Sequence, residues 1–157
     1  MMSVLKVADL NELEFADYGQ IISEIDKQPI AQNNDFTYWD KLVTFFNIQE
    51  TSIGILRVNK RDFNVDTLEY HLNTPEIIMA LDCDSIIVVG KAIENTENIK
   101  AFKLPKGQGV ALGKGILHWA PYPIEKMAGR FLIIFAADTP NKDTYLSHMD
   151  KSIRFEI

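Results

Sequence analysis

The chain has 157 residues, 46% of them hydrophobic, and a formal net charge of -6. That is enough apolar material for one good core and too little length for two typical domains, so a single globular domain over residues 1–157 is expected. The basic residues are scattered, which excludes the electrostatic footprint of a nucleic-acid or anionic-membrane binder and leaves small molecules as the expected partners.

In chain order, the opening "MMSVLKVADLNELEF" has no apolar signal core, and no later run approaches the length of a membrane span. Cys83 is the only cysteine, which fits a reduced, cytoplasmic location. Helical patterning is limited to "DLNEL" before Phe15 and to "DKLVTFF" at 40–46, where the period is ambiguous. Strands are predicted at "TSIGILRVN" (51–59), "EIIMAL" (76–81), "SIIVVG" (85–90), "IKAFKL" (99–104), "GVAL" (109–112) and "RFLIIFA" (130–136). Between them lie "DCD", "ENTEN", "PKGQG" and "GKG", rich in the Gly, Pro, Asn and Asp of tight turns. Closely spaced strands without long helices between them point to an antiparallel sandwich or barrel. The tail "DTPNKDTYLSHMDKSIRFEI" reads as a surface extension ending in one short strand, and His148 within it as a solvated side chain. Cys83 stands between Asp82 and Asp84, whose charges disfavour a reactive thiolate, so its expected role is structural.

Chemistry concentrates in "LEYHLNTPEI" (68–77). Alternate strand residues share a face, so Glu69 and His71 project together. Pro75 cannot donate to a ladder and Asn73 favours a turn. The interruption lets Glu76 start the next strand facing the same interior. His118 follows the glycine turn in "LGKGILHW" and opens another apolar segment. Two imidazoles and two carboxylates from separate strands are the donor set of a first-row transition metal such as nickel, zinc, iron or manganese. Arg57, in an apolar strand, and Lys114, in the turn before His118, are candidate substrate cations, each of which can equally face solvent. "GQGV" and "GKG" do not sit between a strand and a helix, so they read as hairpin turns rather than phosphate cradles. Phe36, Tyr38 and Trp39 can line a pocket or pack in a core or interface.

The order Glu-x-His-x(4)-Glu, a strand pair, then Gly-x-x-His resembles the two metal motifs of cupins, with Glu69 in place of the usual first histidine. Within cupins the chain resembles the ureidoglycolate lyase family. The motifs that carry the likeness are "FADYGQII" (15–22), "LEYH" (68–71), "IIVVG" (86–90), "IKAFKL" (99–104), "GQGV" (107–110) and "LHWAP" (117–121), in the family's order and at similar spacing. The resemblance implies an all-β fold, a cupin-type double-stranded β-helix (jelly-roll) barrel with a few short helices. It implies a lyase that splits ureidoglycolate into glyoxylate and urea in purine catabolism, as a homodimer. By position, Glu69, His71, Glu76 and His118 match the family's pocket residues. His71, Glu76 and His118 are then the expected catalytic groups, and all four the expected ligands of a divalent metal. Substrate contacts fall to Tyr70, Arg57 and Lys114. No organic cofactor is expected.

The departures are specific. Tyr70 replaces the arginine of the family's "Leu-Glu-Arg-His", Glu76 replaces a glutamine, and Trp119 replaces the second histidine of a pair. The arginine after the family's last core strand has no counterpart beside Phe135 and Ala136, and Asn33 and Asn34 lack the arginine that follows them. Two alternatives therefore stand beside the lyase. One is a metal-dependent cupin acting on another small metabolite, such as a sugar or sugar acid, and the other is a non-catalytic binder. If burial raises the Glu76 pKa, it is an acid for the departing nitrogen, with His71 or His118 as base.

Overall fold

A computed structural model describes residues 4–46, 49–91 and 98–157. In chain order the first elements are β1 (Val4–Asp9), α1 (Glu12–Phe15), β2 (Gly19–Ile22), β3 (Ala31–Gln32), β4 (Thr37–Tyr38), β5 (Thr51–Asn59) and β6 (Asn64–Tyr70). They are followed by β7 (Glu76–Ala80), β8 (Ser85–Gly90), β9 (Lys100–Leu104), β10 (Gly109–Leu112), β11 (Leu117–His118) and β12 (Tyr122–Pro123). The last are β13 (Ala128–Ala136), α2 (Thr139–Lys142) and β14 (Tyr145–Glu156).

The larger sheet runs β11-β6-β14-β1-β9-β8-β12, and β11 also pairs with β8, so the sheet closes into a barrel. The second sheet runs β2-β10-β7-β13-β5, and β3 and β4 form a separate hairpin. This is the all-β barrel with short helices that the sequence led us to expect. Most pairings are antiparallel, as expected, with β1 lying parallel to both of its neighbours, β14 and β9.

The continuous apolar run of β8 has a direct cause: every residue in it is buried. Ile87 and Val89 join the core cluster that contains Phe15, Phe102 and Phe131, whereas Ile86 and Val88 join a second cluster with Leu68, Tyr122 and Phe155. A strand covered on both faces has no need of polar alternation. Cys83 is buried in the first of these clusters, and its thiol is pushed up by burial and then by the charge of Asp82.

The helix expected before Phe15 is present as α1, with Asn11 Oδ1 accepting from Glu14 N at 2.9 Å as its cap. No helix forms over 40–46. Lys41 adopts φ 52°, which breaks helical geometry, and Phe46 is left exposed. The polar tail is corrected most strongly. Residues 145–156 form the longest strand described, lodged between β6 and β1, with Ile153 and Phe155 buried. His148 remains exposed, with Nδ1 3.0 Å from Thr67 Oγ1. The turn expected at "ENTEN" (94–98) lies outside the described residues apart from Asn98. No helix among the described residues is long and apolar enough to cross a membrane.

Candidate metal and catalytic centre

His71 lies one residue beyond the end of β6, at the start of a turn that Pro75 terminates before β7 begins with Glu76. The turn is clamped from a distant part of the chain. The buried Asp143 carboxylate accepts from Leu72 N at 3.0 Å, Asn73 N at 2.9 Å and Asn73 Nδ2 at 3.1 Å. The Asp143 backbone carbonyl lies 2.7 Å from His71 Nδ1. Thr74, also buried, donates to the Pro75 carbonyl at 2.8 Å and accepts from Ala136 N at 3.0 Å, which ties the turn to the end of β13.

His118 belongs to β11, the two-residue strand that closes the barrel, where it pairs with Glu69 of β6 and Val89 of β8. The glycine turn that precedes it also ties the two histidine segments together. Gly115 has φ 76°, a conformation open mainly to glycine, and its N–H donates to the His71 carbonyl at 2.6 Å. The two histidine segments are therefore bonded to each other.

The rings converge, with centroids 5.2 Å apart. His71 Nε2 is 2.9 Å and His118 Nε2 2.7 Å from the same atom, Glu76 Oε2. Glu69 Oε1 is 3.8 Å from His118 Nε2. Each ring turns its other nitrogen to a backbone carbonyl, His71 to Asp143 and His118 to Ile116 at 2.9 Å. Carbonyls only accept, so each Nδ1 carries a proton and each neutral ring presents an Nε2 lone pair to a carboxylate oxygen. Lone pairs facing a carboxylate repel unless a proton or a cation lies between them.

The electrostatics follow from that conflict. Burial acts to raise the Glu76 carboxyl, but the charge of His118 and the contacts with both rings outweigh it and hold it at about 2. Burial lowers His71 and His118, yet Glu76, together with the Asp143 carbonyl at His71 and the Ile116 carbonyl and Glu69 at His118, more than reverses this, and both imidazoles are raised. Glu69, less enclosed, is raised by burial, against the charge of His118. The expectation that burial would make Glu76 an acid is therefore reversed, because two imidazoles share its charge.

The residues fit a divalent cation. His118 Nε2 is buried and, despite its 2.7 Å approach to Glu76, has no aligned hydrogen-bond partner among the described residues. One donor atom each from Glu69, His71 and His118 lie within 4.8 Å of one another. Both imidazoles have the Nδ1 partner that orients a metal-ligating ring. Carboxylate and imidazole suit zinc, nickel, iron or manganese.

Three of the four residues, Glu69, His71 and Glu76, line a cavity of about 460 Å³ together with residues of β5, β13 and the 140–144 segment. The other candidates lie elsewhere. Tyr70 points to the opposite side of β6 and stacks on Tyr145, ring centroids 5.3 Å apart. Arg57 is exposed on β5 opposite Arg130, and Lys114 is exposed in its turn. None of these three lines the cavity. Phe36 and Tyr38 are exposed, and Trp39 donates from Nε1 to the Lys27 carbonyl at 3.1 Å. Phe135, by contrast, lines the cavity and stands edge-on to His71 at 5.8 Å. Asp143 was not visible from sequence: a lone acid in a polar tail gives no signal of a partner 70 residues away.

The ureidoglycolate lyase family model matches residues 2–156 of this chain. No curated protein matches it significantly. Among solved structures, the capsular polysaccharide assembling protein CapF from Staphylococcus aureus is similar at 12% identity with TM-score 0.50, over 62% of this chain and 28% of that one. The S161A mutant of Bacillus subtilis oxalate decarboxylase OxdC aligns at 15% identity with TM-score 0.45, over 68% of this chain and 24% of that one. Another OxdC structure is described by its Mn(II) centres. The chain spans about a quarter of the length of these structures.

Proposed function

The chain belongs to the ureidoglycolate lyase family, and on that premise we propose that it is a carbon–nitrogen lyase releasing glyoxylate and urea from ureidoglycolate. The observation that carries this reading is the buried convergence of His71, Glu76 and His118, with Glu69 beside them and with Glu69, His71 and Glu76 lining a cavity.

The reaction moves one proton. As the carbon–nitrogen bond breaks, its electron pair goes to the urea nitrogen, the hydroxyl proton leaves, and the oxygen left behind becomes the aldehyde carbonyl. Glu69 is the group suited to carry that proton. It lines the cavity, it is the more exposed of the two carboxylates, and burial raises it, which makes it a better base when ionised and an available acid once protonated. Glu76 stays ionised and holds both imidazoles in place. A divalent ion held by His71, Glu76 and His118, with Glu69 in reach as a further ligand, would supply Lewis acidity that favours ionisation of the substrate hydroxyl. Nickel, zinc, iron and manganese all suit the donor set, and elemental analysis distinguishes them.

Family membership and the lone buried cysteine support a cytoplasmic homodimer working in purine catabolism, which sedimentation and cell fractionation test. The decisive assay is glyoxylate release by the protein after loading with each metal. Turnover that falls on chelation and returns with one metal is expected. No release with any metal, from protein shown to be folded, would overturn the assignment.

A further inference from the structure

β5 carries a glycine where a strand has least use for one. Val58 is buried in the core, and Leu56, Gly54 and Ser52 share its parity, whereas Ile53, Ile55 and Arg57 lie on the outward face. Gly54 therefore faces inward near the middle of the strand, opposite Ile133, and lines the cavity. A Cβ built on it meets nothing within 4 Å, and its backbone does not adopt positive φ. Neither packing nor turn geometry asks for glycine here, and a strand interior is weakened by it. What the missing side chain leaves is room in the cavity.

The polar groups around that room are few and of definite kind. Ser52 lines the cavity one step along the inward face, opposite Phe135. The β13–β7 register, carried one residue past Ile134 and Ile77, brings Phe135 level with Glu76. Ser52 and Glu76 thus share a cross-strand row with one strand between them, about 10 Å apart along the sheet, a span that two side chains and a small ligand bridge. Thr144 follows Asp143 at the His71 clamp and lines the same cavity. Its Oγ1 donates to the Thr139 carbonyl at 3.0 Å, so its one hydrogen is committed and the oxygen can only accept from a ligand. Such an acceptor suits an N–H and repels a carboxylate oxygen. No Lys or Arg lines the cavity among the described residues, so a ligand carboxylate finds its partner in a divalent cation held by the imidazole–carboxylate cluster.

We infer that Ser52, Gly54 and Thr144 form a subsite for the ureido half of the substrate, an inference that rests on the lyase reading for the substrate class. The ureido group lies over Gly54, its carbonyl accepts from the Ser52 hydroxyl, and its terminal amino group donates to Thr144. The carboxylate stays on the side of His71 and Glu76. Ser52 and Thr144 are then the residues that determine specificity for the nitrogen end, and an acidic substrate is held without the arginines that Tyr70 and Ala136 leave out.

The test is isothermal titration of the metal-loaded protein with oxalurate and N-acetyloxamate, two unreactive anions that differ only in a terminal amino group against a methyl group. Oxalurate is expected to bind the wild type roughly tenfold or more tightly. Thr144→Val is expected to bring oxalurate down to the level of N-acetyloxamate and to leave the latter unchanged, and Thr144→Ser to keep the preference. Gly54→Val is expected to weaken both probes by about tenfold or more while metal affinity holds and the unfolding temperature does not fall. Gly54→Ala repeats that measurement with a smaller group should the valine variant not fold. Equal affinity of the wild type for the two probes, binding of neither, a preference that survives Thr144→Val, or full affinity in Gly54→Val overturns the inference. A separate assay of glyoxylate release keeps the two readings apart. Efficient release without an oxalurate preference sinks the subsite and leaves the lyase standing, whereas an oxalurate preference without any release sinks the lyase and leaves the ureido subsite.

Discussion

His71 and His118 face one carboxylate oxygen but owe their positions to different kinds of structure. His118 is part of a ladder, paired on one side to Glu69 and on the other to Val89, at the strand that closes the barrel. His71 lies just outside its strand and depends on Asp143, which arrives from the far end of the chain. A ladder holds a side chain through several cooperative backbone bonds, whereas the clamp rests on one carboxylate. One half of the site is built into the barrel, and the other half is held mainly by one distant residue, Asp143, through its carboxylate and its carbonyl.

The largest expected effect removes what the halves share. Glu76→Ala leaves two buried imidazoles without their common partner, so the metal-free protein at mildly acid pH should lose about 3–5 kcal/mol in denaturant unfolding. Metal binding should be abolished with it. An unchanged unfolding midpoint would show that Glu76 is not the keystone of both sides.

Asp143→Ala separates the halves. It strips the acceptors from Leu72 N and Asn73 N, a loss of roughly 2–3 kcal/mol, and metal affinity should fall by about 10–100-fold. Imidazole ¹⁵N shifts should report a disturbed His71 and an undisturbed His118. Equal disturbance of both rings would erase the distinction drawn here.

The third prediction concerns pH. Glu76 is depressed from 4.5 to about 2, so its contribution to stability is present above about pH 4.5 and is lost as pH falls toward 2. His71 and His118 are raised above 6.5, so theirs is complete below about pH 6.5 and is lost as pH rises through the folded values. The chelated protein should therefore melt highest between about pH 4.5 and 6.5. Metal-loaded protein should hold its stability to higher pH, because ligands bind metal deprotonated. A melting temperature of the chelated protein that climbs steadily to pH 8 would contradict this assignment.

The smallest effect is expected from Gly115→Ala. A Cβ there meets nothing within 4 Å, so only the strain of φ 76° remains, about 1 kcal/mol by thermal unfolding. A much larger loss would mean that the bond from Gly115 N to the His71 carbonyl matters more than the ladder around His118.

Legibility followed the same divide between ladders and long-range contacts. β5, β8 and β10 could be read residue for residue: β8 and β10 are buried throughout and show as apolar runs bounded by turns, and β5, mostly exposed, still shows by its β-branched residues. Strand parity likewise put Glu69 with His71, and Pro75 announced the break before Glu76. β14 could not be read. Only Ile153 and Phe155 of "YLSHMDKSIRFE" are fully buried, and its place in the sheet comes from backbone bonds that leave no mark on side-chain pattern. Asp143 was hidden for a related reason, since most of its partners are backbone groups, of Leu72 and Asn73. Arg57 shows the limit of parity alone: alternation separated two faces of β5 but could not say which one turned inward.

The lodging of β14 between β6 and β1 also has a consequence for biosynthesis. β1 takes its partners from opposite stretches of the polypeptide, Val4 to Lys6 against Arg154 to Glu156 and Val7 to Asp9 against Ala101 to Lys103. A ribosome delivers Tyr145–Glu156 long after β1 and β6 have emerged, and until then each of those strands has an open edge. The closing step joins residues nearly a full chain length apart, the kind of contact that slows folding most. Until that strand arrives, the facing edges of β1 and β6 have no partner, and the nascent chain is most exposed to edge-to-edge association.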